Sequence, residues 1–144
     1  MATIAWVIVQ RLIRLRARPR GVHLVTDEIT AALPELARMR AGLASVFLRH
    51  TSAALAINEN ADPTVRQDAT AWLDRVAPEG LHYAHDDEGD DDMPAHLKAL
   101  MVGPSLTIPI SDGRLAFGTW QGVWLIEARD QGGVREVLAT LMGD

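Results

Sequence analysis

Apolar positions divide the chain into short extended runs and a few amphipathic helices. Ala5 to Leu15 is rich in Val, Ile and Leu without a 3.6-residue period, as expected of a long first strand, and Pro19-Arg20-Gly21 breaks it. Val22 to Val25 predicts a short second strand. Thr26 or Asp27 is placed to cap a helix whose apolar positions Ile29, Leu33, Leu36 and Ala37 fall at helical spacing. Arg38 and Arg40 suit the C-terminal end of that helix, and Pro34 removes one of its backbone bonds and kinks it. Leu43 to Leu48 and Ala53 to Ile57 read as strands, separated by the polar break Arg49-His50-Thr51-Ser52.

Asp62-Pro63 opens a helix to about Val76, because the carboxylate can accept orphan amides while proline fits the first turn. Its apolar stripe is Val65, Ala69, Trp72 and Val76. Pro78 to Pro94 reads as a polar loop, followed by a short helix from Ala95 to Met101 and a break at Gly103-Pro104. Beyond it, apolar runs at Leu106 to Ile110, Arg114 to Phe117, Val123 to Ala128 and Val134 to Leu141 alternate with turns. Antiparallel strands joined by hairpins, with the helices earlier in the chain, predict an α+β fold: one sheet-rich domain of mostly antiparallel strands with two or three helices, spanning 1–144 without internal repeats.

At 144 residues a single core suffices to fold the chain without disulfide or metal. The sequence contains no cysteine, which excludes disulfide frameworks, thiolate zinc sites and cysteine nucleophiles. The apolar run Ile4 to Val9 is too short for an export signal and the arginines follow it, so a cytoplasmic setting is expected. No stretch reaches the ~20 apolar residues of a membrane span. Net charge is -5, unevenly spread. Arg14, Arg16 and Arg18 recur at every second position and, in an acidic chain, read as a solvated strand face rather than a nucleic-acid surface. Asp86-Asp87-Glu88-Gly89-Asp90-Asp91-Asp92 is an acidic run lacking the ligand spacing of an EF-hand, so most of it reads as a mobile charged cluster, with Asp86 beside His85 as the exception.

Candidate chemistry gathers at polar breaks. His50 lies at a strand end, His82 and His85 in the long loop, and His96 at the start of the short helix; imidazoles so placed suit metal ligation or proton transfer near neutral pH. There is no HExxH, no His-x-His pair and no ligand pair on adjacent helical turns. Hydroxyls, amides and carboxylates of Thr51, Ser52, Asn58, Glu59, Asn60 and Asp62 surround one strand, which suits a polar ligand or ordinary turn bonding. Gly118-Thr119-Trp120-Gln121-Gly122 combines neutral hydrogen-bonding groups with a flat apolar wall, or forms a tight bend around a buried Trp.

Four phrases carry a family likeness: Phe47-Leu48-Arg49-His50-Thr51-Ser52-Ala53-Ala54-Leu55, Asn58-Glu59-Asn60-Ala61-Asp62-Pro63, Ala95-His96-Leu97-Lys98 and Gly118-Thr119-Trp120-Gln121-Gly122. In this order they resemble the YjbQ-like family, which is associated with a secondary thiamine-phosphate synthase activity. The resemblance implies a homotrimer with sites near subunit boundaries and an enzyme joining a pyrimidine methyl diphosphate to a thiazole phosphate with release of pyrophosphate. It implies a polar site of His50, Thr51, Ser52, Glu59, Asn60, His85, His96, Thr119, Trp120 and Gln121. We expect His50 and Glu59 of this site, together with Asp86 beside His85, as catalytic groups and Thr51, Ser52, Asn60, Thr119, Trp120 and Gln121 as substrate contacts. His50, His85 and His96 would ligate a divalent metal, zinc or magnesium, for a small phosphorylated substrate. Asp90 stands where such relatives usually carry Asn. The alternatives are a metal-dependent hydrolase of a small phosphorylated or amide substrate and a non-catalytic metal- or ligand-binding module.

Overall fold

In the computed structural model, which describes residues 5–144, three layers stack in the order sheet, sheet, helices. The first sheet is antiparallel throughout, in the order β1 (Val7–Leu15), β8 (Arg135–Gly143), β3 (Ala41–Leu48), β5 (Ser105–Ser111) and β6 (Arg114–Leu115). The second comprises β2 (Gly21–Leu24), β7 (Gln121–Glu127) and β4 (Ala53–Glu59), with β7 in the middle. Ile4, at the head of the first apolar run, lies outside the described residues.

Burial follows the two-residue period along the strands of the first sheet. Ile13 and Leu15, Val137, Ala139 and Leu141, Ala44, Val46 and Leu48, and Ile108 and Ile110 point from the first sheet into the core. They meet Ala53, Leu55, Val123 and Leu125 of the second sheet, and Val25, Ile29, Leu33 and Leu36 close one end. The opposite face of the second sheet, Val22, Ala54, Trp124 and Ile126, packs on Leu73 of α2 (Pro63–Val76), with Val65, Ala69 and Val102 at its margin. β7 is therefore covered on both faces, which accounts for its unalternated run Val123-Trp124-Leu125-Ile126.

Local chemistry sets several boundaries as expected. Asp62 caps α2, its Oδ1 accepting from the Thr64 amide at 2.9 Å with Pro63 at the first helical position. Asp112 and Gly113 both take positive φ, 50° and 79°, giving the two-residue turn that joins β5 to β6.

Other expectations are corrected. β3 and β4 are consecutive but belong to different sheets, as do β7 and β8, so hairpins account for few of the connections. Pro34 does not kink one helix: α1 (Thr26–Ala31) ends and a 3-10 helix, Pro34–Arg38, begins anew with proline in its first turn. On α2 the buried residue is Leu73, whereas Trp72 and Val76 are exposed. The last helix, α3, starts three residues early, at Asp92–Val102. No helix among the described residues is long and apolar enough to cross a membrane.

Candidate functional site

The early start of α3 brings Asp92 and His96 onto one helical face, four residues apart. His96 Nε2 lies 3.3 Å from Asp92 Oδ2, and His85 reaches the same oxygen from the preceding loop, its Nε2 at 2.7 Å. The two imidazole rings meet edge to face with centroids 5.5 Å apart. One ligating atom from each of His85, Asp92 and His96 lies within 4.8 Å of the others, the compactness needed by donors at ~2.0–2.2 Å from one ion.

His96 and Asp92 are each held by a further contact. His96 Nδ1 donates to the Thr51 carbonyl at 3.0 Å, which leaves the Nε2 lone pair on the side of Asp92. Asp92 is buried, and its second oxygen, Oδ1, accepts from Arg129 Nη1 at 2.5 Å. The same guanidinium donates to Asp91 Oδ2 at 3.0 Å and to the Glu88 carbonyl at 2.9 Å. Asp91, Asp92 and the Glu88 carbonyl are thus stapled to the segment just after β7; the side chains of Asp86, Asp87, Glu88 and Asp90 remain exposed.

The electrostatics follow from these contacts. Burial alone would raise the Asp92 pKa, but the His85 hydrogen bond and the charge of Arg129 outweigh it and hold the carboxyl below its ordinary value. The hydrogen bond to Asp92 raises the His85 pKa above its ordinary value. A paired carboxylate with two imidazoles, one bearing a proton that an ion would displace, suits a divalent transition metal better than magnesium, which prefers oxygen donors. His85 with Asp87 and Glu88 forms a second, wholly exposed group on the outside of the loop.

The remaining sequence-derived candidates fall into three places. His50 stands outside the close group: its Nε2 accepts from the Glu136 amide at 2.7 Å, which places the ring proton on Nδ1, and burial beside Arg135 lowers its pKa. It does line, with Thr51 and His96, a cavity of about 330 Å³ whose other walls are Ala53, Ala99, Leu100, Gly103 and Pro104. Ser52 Oγ accepts from Arg135 Nη2 at 3.0 Å, and Arg135 in turn pairs with buried Glu127 at 2.6 Å. Asp86 lines another small cavity with His85, Tyr83 and Met93.

Glu59, Asn60, Thr119, Trp120 and Gln121 cluster at the far end of the second sheet. Asn60 Nδ2 donates to the carbonyls of Thr119 and Gln121 at 3.1 Å, and Glu59 Oε2 accepts from the Asp62 amide. Trp120 is 64% exposed, so the turn is not built around it. β4 pairs Ala53 with Glu127 at one end and Glu59 with Gln121 at the other, which separates the two groups by roughly 20 Å at ~3.3 Å per residue. Within one chain they do not form a single pocket.

Sequence reasoning missed Asp92 and Arg129. With the helix started at Ala95, the Asp92-x-x-x-His96 spacing went unrecognised, although it is a ligand pair on adjacent turns. No local signal links Arg129 to a loop nearly forty positions away.

Residues 11–144 match the family model described as UPF0047 protein YjbQ-like. The UPF0047 protein YjbQ of Escherichia coli O157:H7 is 50% identical over 94% of this chain and 98% of its own length. A solved structure of a conserved hypothetical protein from Thermus thermophilus is 35% identical and superposes with a TM-score of 0.75 over 90% of this chain and 97% of that one. A YbjQ-like protein of unknown function from Sulfolobus solfataricus shares the fold at a TM-score of 0.85 with 22% identity, over 97% of this chain and all of the other. These relatives carry only a family designation or a statement of unknown function, and the expected thiamine-phosphate synthase activity is withdrawn on that ground. The geometry agrees with the withdrawal: Lys98, the lysine of the Ala95-His96-Leu97-Lys98 phrase, is buried and paired with Asp74 at 2.6 Å, and the expected substrate contacts are split between two ends of β4. Sequence match along nearly the whole length, together with a common fold, shows that this chain belongs to the UPF0047 family of YjbQ-like proteins.

Proposed function

We propose that the protein binds a divalent transition-metal ion through His85 Nε2, Asp92 Oδ2 and His96 Nε2 and offers the ion's remaining positions to a polar ligand. The observation that carries this reading is the convergence of three donor atoms within 4.8 Å, with His96 and Asp92 each oriented by a further group. Two imidazoles and one carboxylate leave at least one position open, the arrangement of zinc or non-haem iron sites that act on a ligand rather than of closed structural sites. A bound ion would supply Lewis-acid polarisation to whatever polar ligand takes the open position. The cavity lined by His50, Thr51 and His96 adjoins His96 and provides room for that ligand, with His50 Nδ1–H as a hydrogen-bond donor.

The reading includes assembly with further copies of this chain into the homotrimer that the family likeness implies. Its support is the uncovered outer face of the five-stranded sheet. Register aligns Ile8, Met142 and Leu43 in one row and Leu12, Leu138 and Phe47 in another, and of these Ile8, Leu12, Leu43, Phe47 and Met142 are exposed.

Equilibrium dialysis against zinc, cobalt and magnesium, with metal content measured on the retained protein, tests the metal assignment. We expect one equivalent of zinc or cobalt per chain, weak magnesium retention, and loss of binding in His85→Ala and His96→Ala. Equal retention by those variants would overturn the assignment.

A further inference from the structure

A second cavity of about 510 Å³ lies between α2 and β2, away from His85 and His96. Its walls include Arg20, His23, Arg66, Gln67, Thr70 and Asp74. Most of its polar groups are already engaged. Arg20 pairs with Glu79 at 2.7 Å and with Asp130 at 3.0 Å, and Asp74 Oδ1 takes Lys98 at 2.6 Å. Thr70 Oγ1 donates to the Arg66 carbonyl and accepts from the Val22 amide. His23 Nε2 donates to the Pro19 carbonyl at 2.7 Å.

Arg66 is the exception. Among the described residues its guanidinium makes no salt bridge, and its Nη1 is buried without an acceptor. The nearest acid in sequence on the same helix face, Asp62, has one oxygen committed to the amide and hydroxyl of Thr64 at the helix start. A guanidinium is always charged, and leaving one of its N–H groups buried without an acceptor is unfavourable. Arg66 as a whole is only half-buried and lines this open, ligand-sized groove, so the part of its guanidinium that faces the groove, paired with no protein acid, is a site for an acceptor brought from outside.

We infer that this groove binds an oxyanion, the phosphate or carboxylate group of a small molecule, with Arg66 as its principal anchor. The Gln67 amide and the guanidinium nitrogen of Arg20 not engaged by Glu79 or Asp130 supply further donors from the same walls. Neither the position nor the chemistry depends on the metal group.

The test is a titration of metal-stripped protein with inorganic phosphate and, separately, with acetate, read by calorimetry and by the backbone amide signals of Gly21, Val22 and His23. Saturable binding of either anion, weakened at least about tenfold by Arg66→Gln and less by Arg66→Lys, is the expected result. Stronger binding of phosphate identifies a phosphoryl ligand; stronger binding of acetate identifies a carboxylate. The His85→Ala/His96→Ala double variant should bind like the parent, which separates this site from the metal centre. Absence of saturable binding by the parent protein, or unchanged binding in a folded Arg66→Gln variant, overturns the inference. Should Arg66→Gln not fold, the amide shifts of the parent protein decide: movement away from β2 and α2 overturns it.

Discussion

His96 is oriented from both sides, its Nδ1 by the Thr51 carbonyl and its Nε2 by Asp92, while His85 depends on Asp92 alone among buried groups. The His85 pKa is raised, so this group adds stability below the ordinary histidine value of 6.5 and loses it as pH rises through the raised value. The Asp92 pKa is lowered, so its contribution is present above the ordinary carboxylate value of 3.8 and disappears as pH falls through the lowered one. Their mutual support is therefore fullest between about 3.8 and 6.5 in the metal-free protein. In an NMR titration without metal, His85 should show a midpoint above 6.5, and Asp92→Asn should return it towards that value; an unmoved midpoint would remove Asp92 as its partner. His96 and His85 were legible as candidates because histidines at polar breaks are unusual core residues. Asp92 was not, because a one-turn error in the start of α3 placed it among the solvated acids.

At the level of elements, two cationic side chains join parts of the chain that the backbone leaves unconnected. Arg135 on β8 pairs with Glu127 on β7 and donates to Ser52, tying the two sheets to the loop that carries His50 and Thr51. Gly132 runs so close to Glu127 that a Cβ there would lie 2.1 Å from its carboxylate oxygen. Arg135→Met leaves Glu127 charged and buried, and chemical denaturation should report a loss of about 3–5 kcal/mol, much of it recovered when Glu127 is also made apolar. Arg129 performs the corresponding task for the acidic loop. Arg129→Ala should weaken zinc binding by about 10–100-fold and speed hydrogen exchange between Glu88 and Asp92; unchanged exchange would show that the loop is held by other contacts. The Asp62-Pro63 helix start and the Asp112-Gly113 turn were readable because their chemistry is local. The Arg135 and Arg129 contacts cross between elements, and a single sequence offers no spacing rule for those.

For the whole molecule, strand patterning indicated α+β and a sheet-rich domain, and the layered sandwich agrees. What patterning did not reveal was the division of strands between two sheets, since alternation tells which residues share a face but not which strand lies alongside. The unbroken apolar run of β7 was the one trace of its central position. The outer sheet face, with Leu43, Phe47 and Met142 in exposed rows, belongs to this scale as well. Phe47→Lys should shift the sedimentation coefficient from that of a trimer to that of a monomer; a monomeric parent protein would refute assembly through this face.

X-ray absorption at the zinc edge on the protein loaded with one equivalent addresses the metal centre most directly, because it counts ligands by type. The expected ligand set holds two imidazole nitrogens and one carboxylate oxygen at ~2.0–2.2 Å, with at least one further light-atom ligand. A spectrum lacking imidazole scattering, or one unaltered by His96→Ala, would contradict a centre built from His85, Asp92 and His96.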